Sequence, residues 1–276
     1  MEKIIINQPV VQIMEKPSAD SMVTDEIFYG MEVFIEKDLY SDWFWIHTYY
    51  GYEGYIRKDS VIGVDMDYER REFVTAPFAA VYIRPDVKAP VMMTLVRGAI
   101  VSVMIRESNG YTEVKLYDGR AGYMKTSALT PYREVYIKNR EEWLKKNESS
   151  VREEIVRYAM SYLGTPYRYG GKSPMGIDCS GLSFMTYLLS GICIWRDSRM
   201  KEGYPVKKIE KNQLMPGDLI YFPGHVAIYL GKERFIHATD RTGIEQVAVQ
   251  SLDPADEEYR KDLAGCIEAY GSIWNR

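Results

Sequence analysis

The chain has 276 residues, of which 46% are hydrophobic and 27% are charged, values that are typical of folded globular proteins and unlike those of disordered chains. A net charge of −4 disfavours nucleic acid as a partner, because phosphate binding needs clustered lysine and arginine. No apolar run approaches the length of a membrane span, so we expect no membrane partner.

Cysteine usage and the N-terminal residues indicate the compartment. Cys179, Cys193 and Cys266 form an odd, sparse set that is unlike a disulfide framework. The N-terminal stretch lacks the apolar core and the small-residue cleavage site of a secretory signal. We therefore expect a cytoplasmic monomer, or a secreted protein if an upstream signal has been removed.

The first half of the chain contains an internal repeat. With an offset of 68 residues, "GYEGYIRKDSV" at 51–61 aligns with "GRAGYMKTSAL" at 119–129, and Gly30 aligns with Gly98. Each copy has short runs of Val, Ile, Tyr and Trp that are broken by Gly, Asp and Asn, which is typical of strands joined by turns. The repeat predicts two small all-β barrels, at residues 1–64 and 65–131.

The next segment changes in character. Residues 132–150 are strongly charged and are interpreted as a linker. A helix is expected to start near Val151, with Ser149 or Ser150 as its cap, and it opens a third domain at 151–276. In that domain a helix over 179–190 is followed by the strand-like runs "DLIYF", "HVAIYL" and "RFIHAT". This order indicates an α+β arrangement.

Cys179 stands directly before the apolar run of the predicted helix. Unpaired backbone N–H groups and the positive end of the helix dipole stabilise a thiolate at such a position. A cysteine there is also compatible with a purely structural role in the core. Whether Cys179 is a nucleophile depends on which other groups the fold brings to it.

Two of the three histidines, His225 and His237, flank a predicted hairpin turn. If the turn centres on Gly231, the two residues lie directly opposite each other on one sheet face. One imidazole then acts as the base for a thiol, and the other orients the first. A Cys-His-His set is also compatible with zinc, but the sequence lacks the short ligand pairs of structural zinc sites, so we expect no metal.

The third domain resembles the NlpC/P60 family of papain-like cysteine peptidases. The resemblance rests on "GTPYRYGG" at 164–171, "DCSGLSFMTYLL" at 178–189, "MPGDLIYF" at 215–222, "HVAIYLG" at 225–231 and "FIHA" at 235–238. The two repeats resemble bacterial SH3-type barrels. The implied fold class is multidomain: two small all-β SH3-like barrels followed by an α+β papain-like domain.

The resemblance implies catalytic roles without any metal or organic cofactor. Cys179 corresponds to the nucleophile, His225 to the base and His237 to the third, orienting residue. Tyr167 matches a family tyrosine whose hydroxyl lies near the nucleophile. The family hydrolyses peptide bonds of the bacterial cell wall, typically between D-glutamate and a diamino acid.

One subfamily pairs two SH3-type barrels with this domain and trims free muropeptides that have an unblocked N-terminal L-alanine. By this resemblance, the substrate is a muropeptide whose ammonium needs acidic and hydroxyl partners. The expected substrate-binding residues are Asp178, Ser180, Asp197, Ser198, Tyr52 and Glu26. A surface carboxylate without function is an equal interpretation for Asp197 and Glu26.

Three other functions remain open at this point. The protein is alternatively a secreted autolysin that cuts intact peptidoglycan, with both barrels as anchors. It is alternatively a non-catalytic wall-binding protein, or a transferase that passes the thioester to an amine. The sequence does not distinguish lysine from diaminopimelate as the diamino acid.

Overall fold

The computed structural model describes residues 2–63, 70–106, 109–132 and 140–274. The chain divides into two units, Met1–Tyr132 and Arg133–Arg276. The predicted barrel boundary at 64 and 65 and part of the predicted linker, 133–139, lie outside the described residues. In the described ranges, no helix is both long enough and apolar enough to cross a bilayer.

Both repeats of the first unit are all-β. The first repeat comprises β1 (Glu2–Ile6), β2 (Val10–Met14), β3 (Val23–Phe28), β4 (Glu32–Asp38), β5 (Trp43–Thr48), β6 (Glu53–Arg57) and β7 (Val61–Gly63). The second comprises β8 (Arg71–Val74), β9 (Phe78–Tyr82), β10 (Val91–Val96), β11 (Ile100–Arg106), β12 (Tyr111–Lys115), β13 (Ala121–Lys125) and β14 (Leu129–Pro131). Their described strands pair in matching orders, β3-β2-β6-β5-β4-β1-β7 and β10-β9-β13-β12-β11-β8-β14.

The internal repeat of the sequence is also a repeat of the core. Buried residues of the first barrel correspond, at the offset of 68, to buried residues of the second. The pairs are Ile6 with Val74, Ile13 with Val81, Ile27 with Leu95, Val33 with Val101, Ile46 with Val114, and Ile56 with Met124. Strand alternation therefore points the same positions inward in both copies, which is why the pattern was readable without the structure.

Two matched glycines of the repeat serve close packing. Gly54 and Gly122 occupy equivalent positions at the second residue of β6 and β13. A Cβ atom at Gly54 would lie 2.3 Å from Cγ2 of Ile13, and one at Gly122 would lie 2.5 Å from Cγ1 of Val81. Glycine lets the neighbouring strand's β-branched side chain reach the core at both places.

The second unit combines helices with a mainly antiparallel sheet. Its helices are α1 (Arg140–Lys146), α2 (Glu148–Met160), α3 (Cys179–Leu189) and α4 (Lys261–Ala264). Its strands are β15 (Lys172–Ser173), β16 (Gly176–Ile177), β17 (Lys207–Ile209), β18 (Leu219–Phe222), β19 (His225–Gly231), β20 (Arg234–Ala238), β21 (Val247–Ser251) and β22 (Ala269–Ser272). In its described part, the main sheet has the order β17-β22-β18-β19-β20-β21. The fold-class prediction of two all-β barrels and an α+β domain is confirmed.

Helix α3 packs against β19 and β20 and is buried along its whole length. The sequence predicted one apolar face, yet its polar residues are buried too. Ser183 donates a hydrogen bond to the carbonyl of Cys179, and Thr186 donates one to the carbonyl of Leu182. Bonds of this kind, back to the preceding helical turn, satisfy the hydroxyls without solvent. A central helix therefore holds Cys179 in a fixed position.

The structure differs from the predicted linker over residues 140–150. Helix α1 lies in that stretch, and α2 begins at Glu148, earlier than Val151. Leu144 is buried, and the indole of Trp274 donates a hydrogen bond of 3.3 Å to its carbonyl oxygen. The sequence indicated a linker because the segment is highly charged and only Leu144 within it is buried. The partner of that leucine, Trp274, lies near the other end of the chain.

Candidate active site

Cys179 is the first residue of α3, and Asp178 is the N-cap of that helix. One carboxylate oxygen of Asp178 accepts a hydrogen bond from the backbone N–H of Gly181 at 2.6 Å. The other accepts from the N–H of Gly170 at 2.8 Å. These bonds fix the first turn of the helix, so the orientation of the cysteine is set by the backbone on both sides of it.

Asp178 also forms a buried ion pair with Arg196. Its two terminal guanidinium nitrogens donate to the carboxylate, each at 3.1 Å, and one of them also donates to Oγ of Ser180 at 2.8 Å. Arg196 is only 1% exposed. The structure therefore shows Asp178 and Ser180 holding Arg196 beside the helix cap, and their predicted role in binding a substrate ammonium stays a prediction. Sequence analysis missed Arg196, although an arginine inside the apolar run "ICIWR" is a signal of a buried partner.

The histidines meet, but not through the expected register. The hairpin pairs Ile228 with Ile236, and its turn lies at Lys232 and Glu233, which both have a positive φ. His237 therefore lies opposite Ala227, and the prediction that it faces His225 directly is wrong. The centre of the hairpin lies one residue later than predicted, so each residue pairs two positions further along the partner strand. A shift of two residues keeps both imidazoles on the same face. As diagonal neighbours they still form a hydrogen bond, with 2.7 Å between Nε2 of His225 and Nδ1 of His237.

Two further side chains extend this contact, and sequence analysis assigned neither a role. Nε2 of His237 lies 2.8 Å from Oε1 of Gln250, on β21. Arg260 donates to the same oxygen at 2.5 Å. No local pattern reveals the pair, because Gln250 follows the histidine by 13 positions and meets it through the pairing of β20 with β21. Arg260, a further 10 positions along, reaches Gln250 from outside the strands.

The thiol of Cys179 lies beside the strand that carries His225. Helix α3 packs against β19, and the backbone of Val226, the residue after His225, acts to lower the pKa of Cys179. Burial, assisted by the charge of Asp178, nevertheless raises the pKa of Cys179 to about 12. Burial also lowers the pKa of His225 to about 4 and that of His237 to about 3. The free protein therefore holds a neutral thiol beside neutral imidazoles.

Tyr167 lies near this group. Its backbone N–H donates to the carbonyl of Glu245, which fixes the residue beside the end of β16. Burial raises the pKa of the Tyr167 phenol, and the charges of Cys179 and Asp178 raise it further. The phenol therefore remains protonated at neutral pH and keeps a hydrogen-bond donor close to the cysteine.

The remaining predicted residues fall into two groups. Asp197 and Ser198 are half-buried. They directly follow Arg196, which forms the ion pair with the helix cap Asp178. Tyr52 and Glu26 belong to the first barrel. The phenol of Tyr52 donates to the carbonyl of Thr24 at 3.3 Å. Glu26 is 1% exposed, so its interpretation as a solvated surface carboxylate is wrong.

A metal site is the remaining possibility for this arrangement. In the ranges that the structure describes, no three His, Cys, Asp or Glu side chains converge as metal ligands do. The histidine nitrogens that face each other are 2.7 Å apart and form a hydrogen bond. The site brings together a cysteine at a helix N-terminus and two hydrogen-bonded imidazoles on the strands against which that helix packs.

Comparison with known proteins gives the relationship. The model of the NlpC/P60 family matches residues 164–262. Dipeptidyl-peptidase 6 of Lysinibacillus sphaericus is 38% identical over 282 aligned positions, which cover 99% of this chain and 100% of that protein. The chain belongs to the NlpC/P60 family. It is accordingly a hydrolase, a peptidase related to those of peptidoglycan.

Two other NlpC/P60 proteins complete the comparison. The gamma-D-glutamyl-L-lysine dipeptidyl-peptidase of Bacillus cereus is 28% identical over 184 positions, which cover 60% of this chain and 48% of that protein. The crystal structure of an NlpC/P60 family protein from Bacillus cereus superposes with a TM-score of 0.78. It covers 99% of this chain and 100% of its own at 19% identity, so it shows that the two share a fold.

Proposed function

We propose that this NlpC/P60 protein is a cysteine peptidase that hydrolyses the bond between γ-D-glutamate and a diamino acid in free muropeptides with an unblocked N-terminal L-alanine. The observation that carries the proposal is the placement of Cys179, at the start of a buried helix and beside the strand of His225, whose imidazole is bonded to His237. The names of the dipeptidyl-peptidase relatives are consistent with this substrate class.

In the proposed reaction the sulfur of Cys179 attacks the γ-carbonyl carbon of D-glutamate while its proton passes to the imidazole of His225. Negative charge develops on the carbonyl oxygen. Backbone N–H groups at the start of α3 and the hydroxyl of Tyr167 are the donors available to that oxygen. Transfer only at the moment of attack suits a pair whose thiol pKa is raised and whose imidazole pKa is lowered by burial.

Collapse of this intermediate breaks the C–N bond. The leaving amine of the diamino acid takes the proton from His225, and the acyl group remains on Cys179 as a thioester. Water then attacks the thioester while His225 accepts a proton from it, and the released thiolate takes that proton back. The products are the dipeptide L-Ala-D-Glu and the free diamino acid or its peptide.

The proposal requires that Cys179 is the nucleophile. Purified protein is incubated with L-Ala-γ-D-Glu-diaminopimelate and, separately, with the lysine analogue, and products are identified by mass spectrometry. We expect cleavage by the wild type and no detectable cleavage by Cys179→Ala. Cys193→Ala, at another buried cysteine of the same unit, is the matched control and keeps its activity. Full activity of Cys179→Ala would overturn the proposal.

Selection for a free amine is tested with the N-acetylated peptide. The proposed trimming enzyme cleaves only the free peptide. Cleavage of both peptides, together with release from insoluble sacculi, would instead indicate a hydrolase of intact peptidoglycan. With an added amine, a conjugate of the dipeptide in place of the free acid would indicate a transferase.

A further inference from the structure

We propose that Gln250 and Arg260 are positioning residues that fix the tautomers of both histidines, so that Nδ1 of His225 is the nitrogen that takes the proton from Cys179. The inference rests on the proposed function only in assigning Cys179 and His225 as the reacting pair. The tautomers themselves follow from the hydrogen bonds and are testable separately.

A pair of histidines does not by itself determine which ring nitrogen carries the hydrogen. A carboxylate as third residue only accepts hydrogen bonds, so it forces its neighbour to donate. A neutral imidazole has one donor and one acceptor nitrogen, and it can exchange them. His237 alone therefore leaves the tautomer of His225 undetermined. The chain of hydrogen bonds has to end in a group that can only donate or only accept.

Arg260 is that group. A guanidinium has donors and no acceptor, so the atom of Gln250 that it contacts at 2.5 Å must be the amide oxygen. The oxygen and nitrogen of a glutamine amide are similar in shape, so its orientation has to be assigned from hydrogen bonds. The contact with Arg260 makes that assignment. Gln250 is 4% exposed and Arg260 is 6% exposed, so solvent offers little competition for these bonds.

The tautomers follow in two steps. The oxygen of Gln250 accepts at 2.8 Å from Nε2 of His237, so this nitrogen carries the hydrogen and Nδ1 is the acceptor. His237 Nδ1 lies 2.7 Å from Nε2 of His225, which must therefore be the donor. The lone pair of His225 is then on Nδ1, which is the ring nitrogen that remains to serve as a base.

Arg260 is itself held in place, and its charge favours the state that this chain requires. Asp262 accepts from two guanidinium nitrogens of Arg260, at 2.8 and 2.7 Å. Burial is the largest cause of the lowered pKa of both histidines, and the charge of Arg260 acts in the same direction. The pKa of His237 is also lowered by His225 and raised by its hydrogen bond to Gln250 and by Asp262. That of His225 is raised by Asp240, Asp178 and Asp262, but burial prevails at both rings. Each ring has one donor and one acceptor nitrogen only while it is neutral.

The direct test is the tautomer of each ring in the full chain. Long-range ¹⁵N–¹H NMR spectra of histidine-labelled protein distinguish protonated Nε2 from protonated Nδ1, and only three histidines contribute signals. We expect hydrogen on Nε2 of both His225 and His237 at neutral pH. Hydrogen on Nδ1 of either ring in the wild type would overturn the inference, whether or not the protein cleaves the proposed peptide.

Variants connect the tautomers to the rate. Gln250→Met replaces the amide acceptor at similar size, and we expect mixed tautomers and a lower kcat with KM unchanged. The expected fall is about 10- to 100-fold, by analogy with the loss of partners that orient metal-ligating histidines. Gln250→Glu keeps an acceptor for both His237 and Arg260, and we expect the wild-type tautomers and most of the activity. Arg234→Gln removes a half-exposed arginine from the other end of β20 and is the control.

The outcomes separate the two proposals. A wild type without cleavage activity contradicts the proposed function, while its NMR spectrum still decides the tautomers. If Gln250→Met keeps both the wild-type kcat and the wild-type tautomers, the positioning role is wrong. If that variant fails to fold, the wild-type spectrum and Gln250→Glu still decide, because loss of the Nε2–H tautomers in Gln250→Glu would also contradict the inference.

Discussion

At the scale of the residue, the site keeps reactive groups neutral by excluding water from them. A buried thiol and two buried imidazoles lose more hydration in their charged forms than in their neutral forms. Protonation of the histidines and deprotonation of the cysteine are therefore both opposed in the folded protein. Stability and chemistry are consequently linked to pH through the same few groups.

We expect the free energy of unfolding to be greatest between the ordinary pKa values of histidine and cysteine, 6.5 and 9.0. Below pH 6.5 the unfolded chain binds protons at His225 and His237, but the folded protein does not until the pH approaches 4 and 3, so stability falls. Above pH 9.0 the unfolded chain loses the thiol proton of Cys179 while the folded protein retains it, so stability falls again.

Urea unfolding over this pH range measures the effect. Cys179→Ala should lose part of the alkaline decrease and keep the acid one, whereas His237→Gln should lose part of the acid decrease. Equal pH dependence in the wild type and both variants would show that other groups control stability. The same lowered pKa values predict that cleavage does not decline at pH 6.5, where an ordinary histidine base becomes protonated.

At the scale of the element, the position of Cys179 depends on how closely α3 approaches the preceding loop. Gly181 lies in the first turn of α3, and a Cβ atom there would lie 2.2 Å from the carbonyl oxygen of Gly171. That carbonyl also accepts hydrogen bonds from the backbone of Asp178 and from Arg196. The first turn of α3, its cap Asp178 and the buried Arg196 thus all contact the carbonyl oxygen of Gly171.

Gly181→Ala should therefore displace the helix start. We expect a loss of about 1–3 kcal/mol in the free energy of unfolding, as for other overpacked sites, and a fall in kcat of up to about 100-fold from misplacement of the thiol. Gly265→Ala is the control, since its φ is −83° and its Cβ would lie 3.6 Å from the nearest atom. Similar stability and activity in the two variants would contradict the role of the contact.

At the scale of the whole molecule, the two barrels of the first unit are joined by specific contacts. The backbone N–H of Ile100 donates to the carbonyl of Tyr29 at 2.8 Å, and the N–H of Tyr117 donates to the phenol of Tyr29 at 2.8 Å. A Cβ atom at Gly30 would lie 2.0 Å from the carbonyl oxygen of Ile100. The second barrel therefore packs directly on a turn of the first.

Gly30→Ala tests whether the barrels unfold together. Gly30 and Gly119 both have a positive φ, 79° and 88°, so alanine at either costs about 1–2 kcal/mol for the left-handed conformation. Only Gly30 has a neighbour within 4 Å of the added Cβ, so we expect a larger loss in Gly30→Ala. Amide hydrogen exchange in the full chain should then accelerate in both barrels. Acceleration confined to the first barrel would contradict this expectation.

Much of this architecture was predictable from the sequence because it depends on local periodicity. The repeat offset of 68 aligns the strands of the two barrels and many of their core positions, since alternation along a strand decides which side chains face inward. The strands β18, β19 and β20 and helix α3 were predicted within one or two residues for the same reason. The cysteine at the start of a helix was readable from its neighbours in the chain.

The partners of the buried polar groups were decided only by the tertiary structure. The hydrogen bonds of Asp178 with Arg196, of His237 with Gln250 and of Gln250 with Arg260 join residues that are 18, 13 and 10 positions apart, and no local pattern encodes their pairing. The register of the histidine hairpin was likewise set by its turn at Lys232 and Glu233. The sequence by itself determined which chemical groups are present and which faces are buried. Folding determined which donor meets which acceptor, because a buried polar group must take its partner from whatever packs against it.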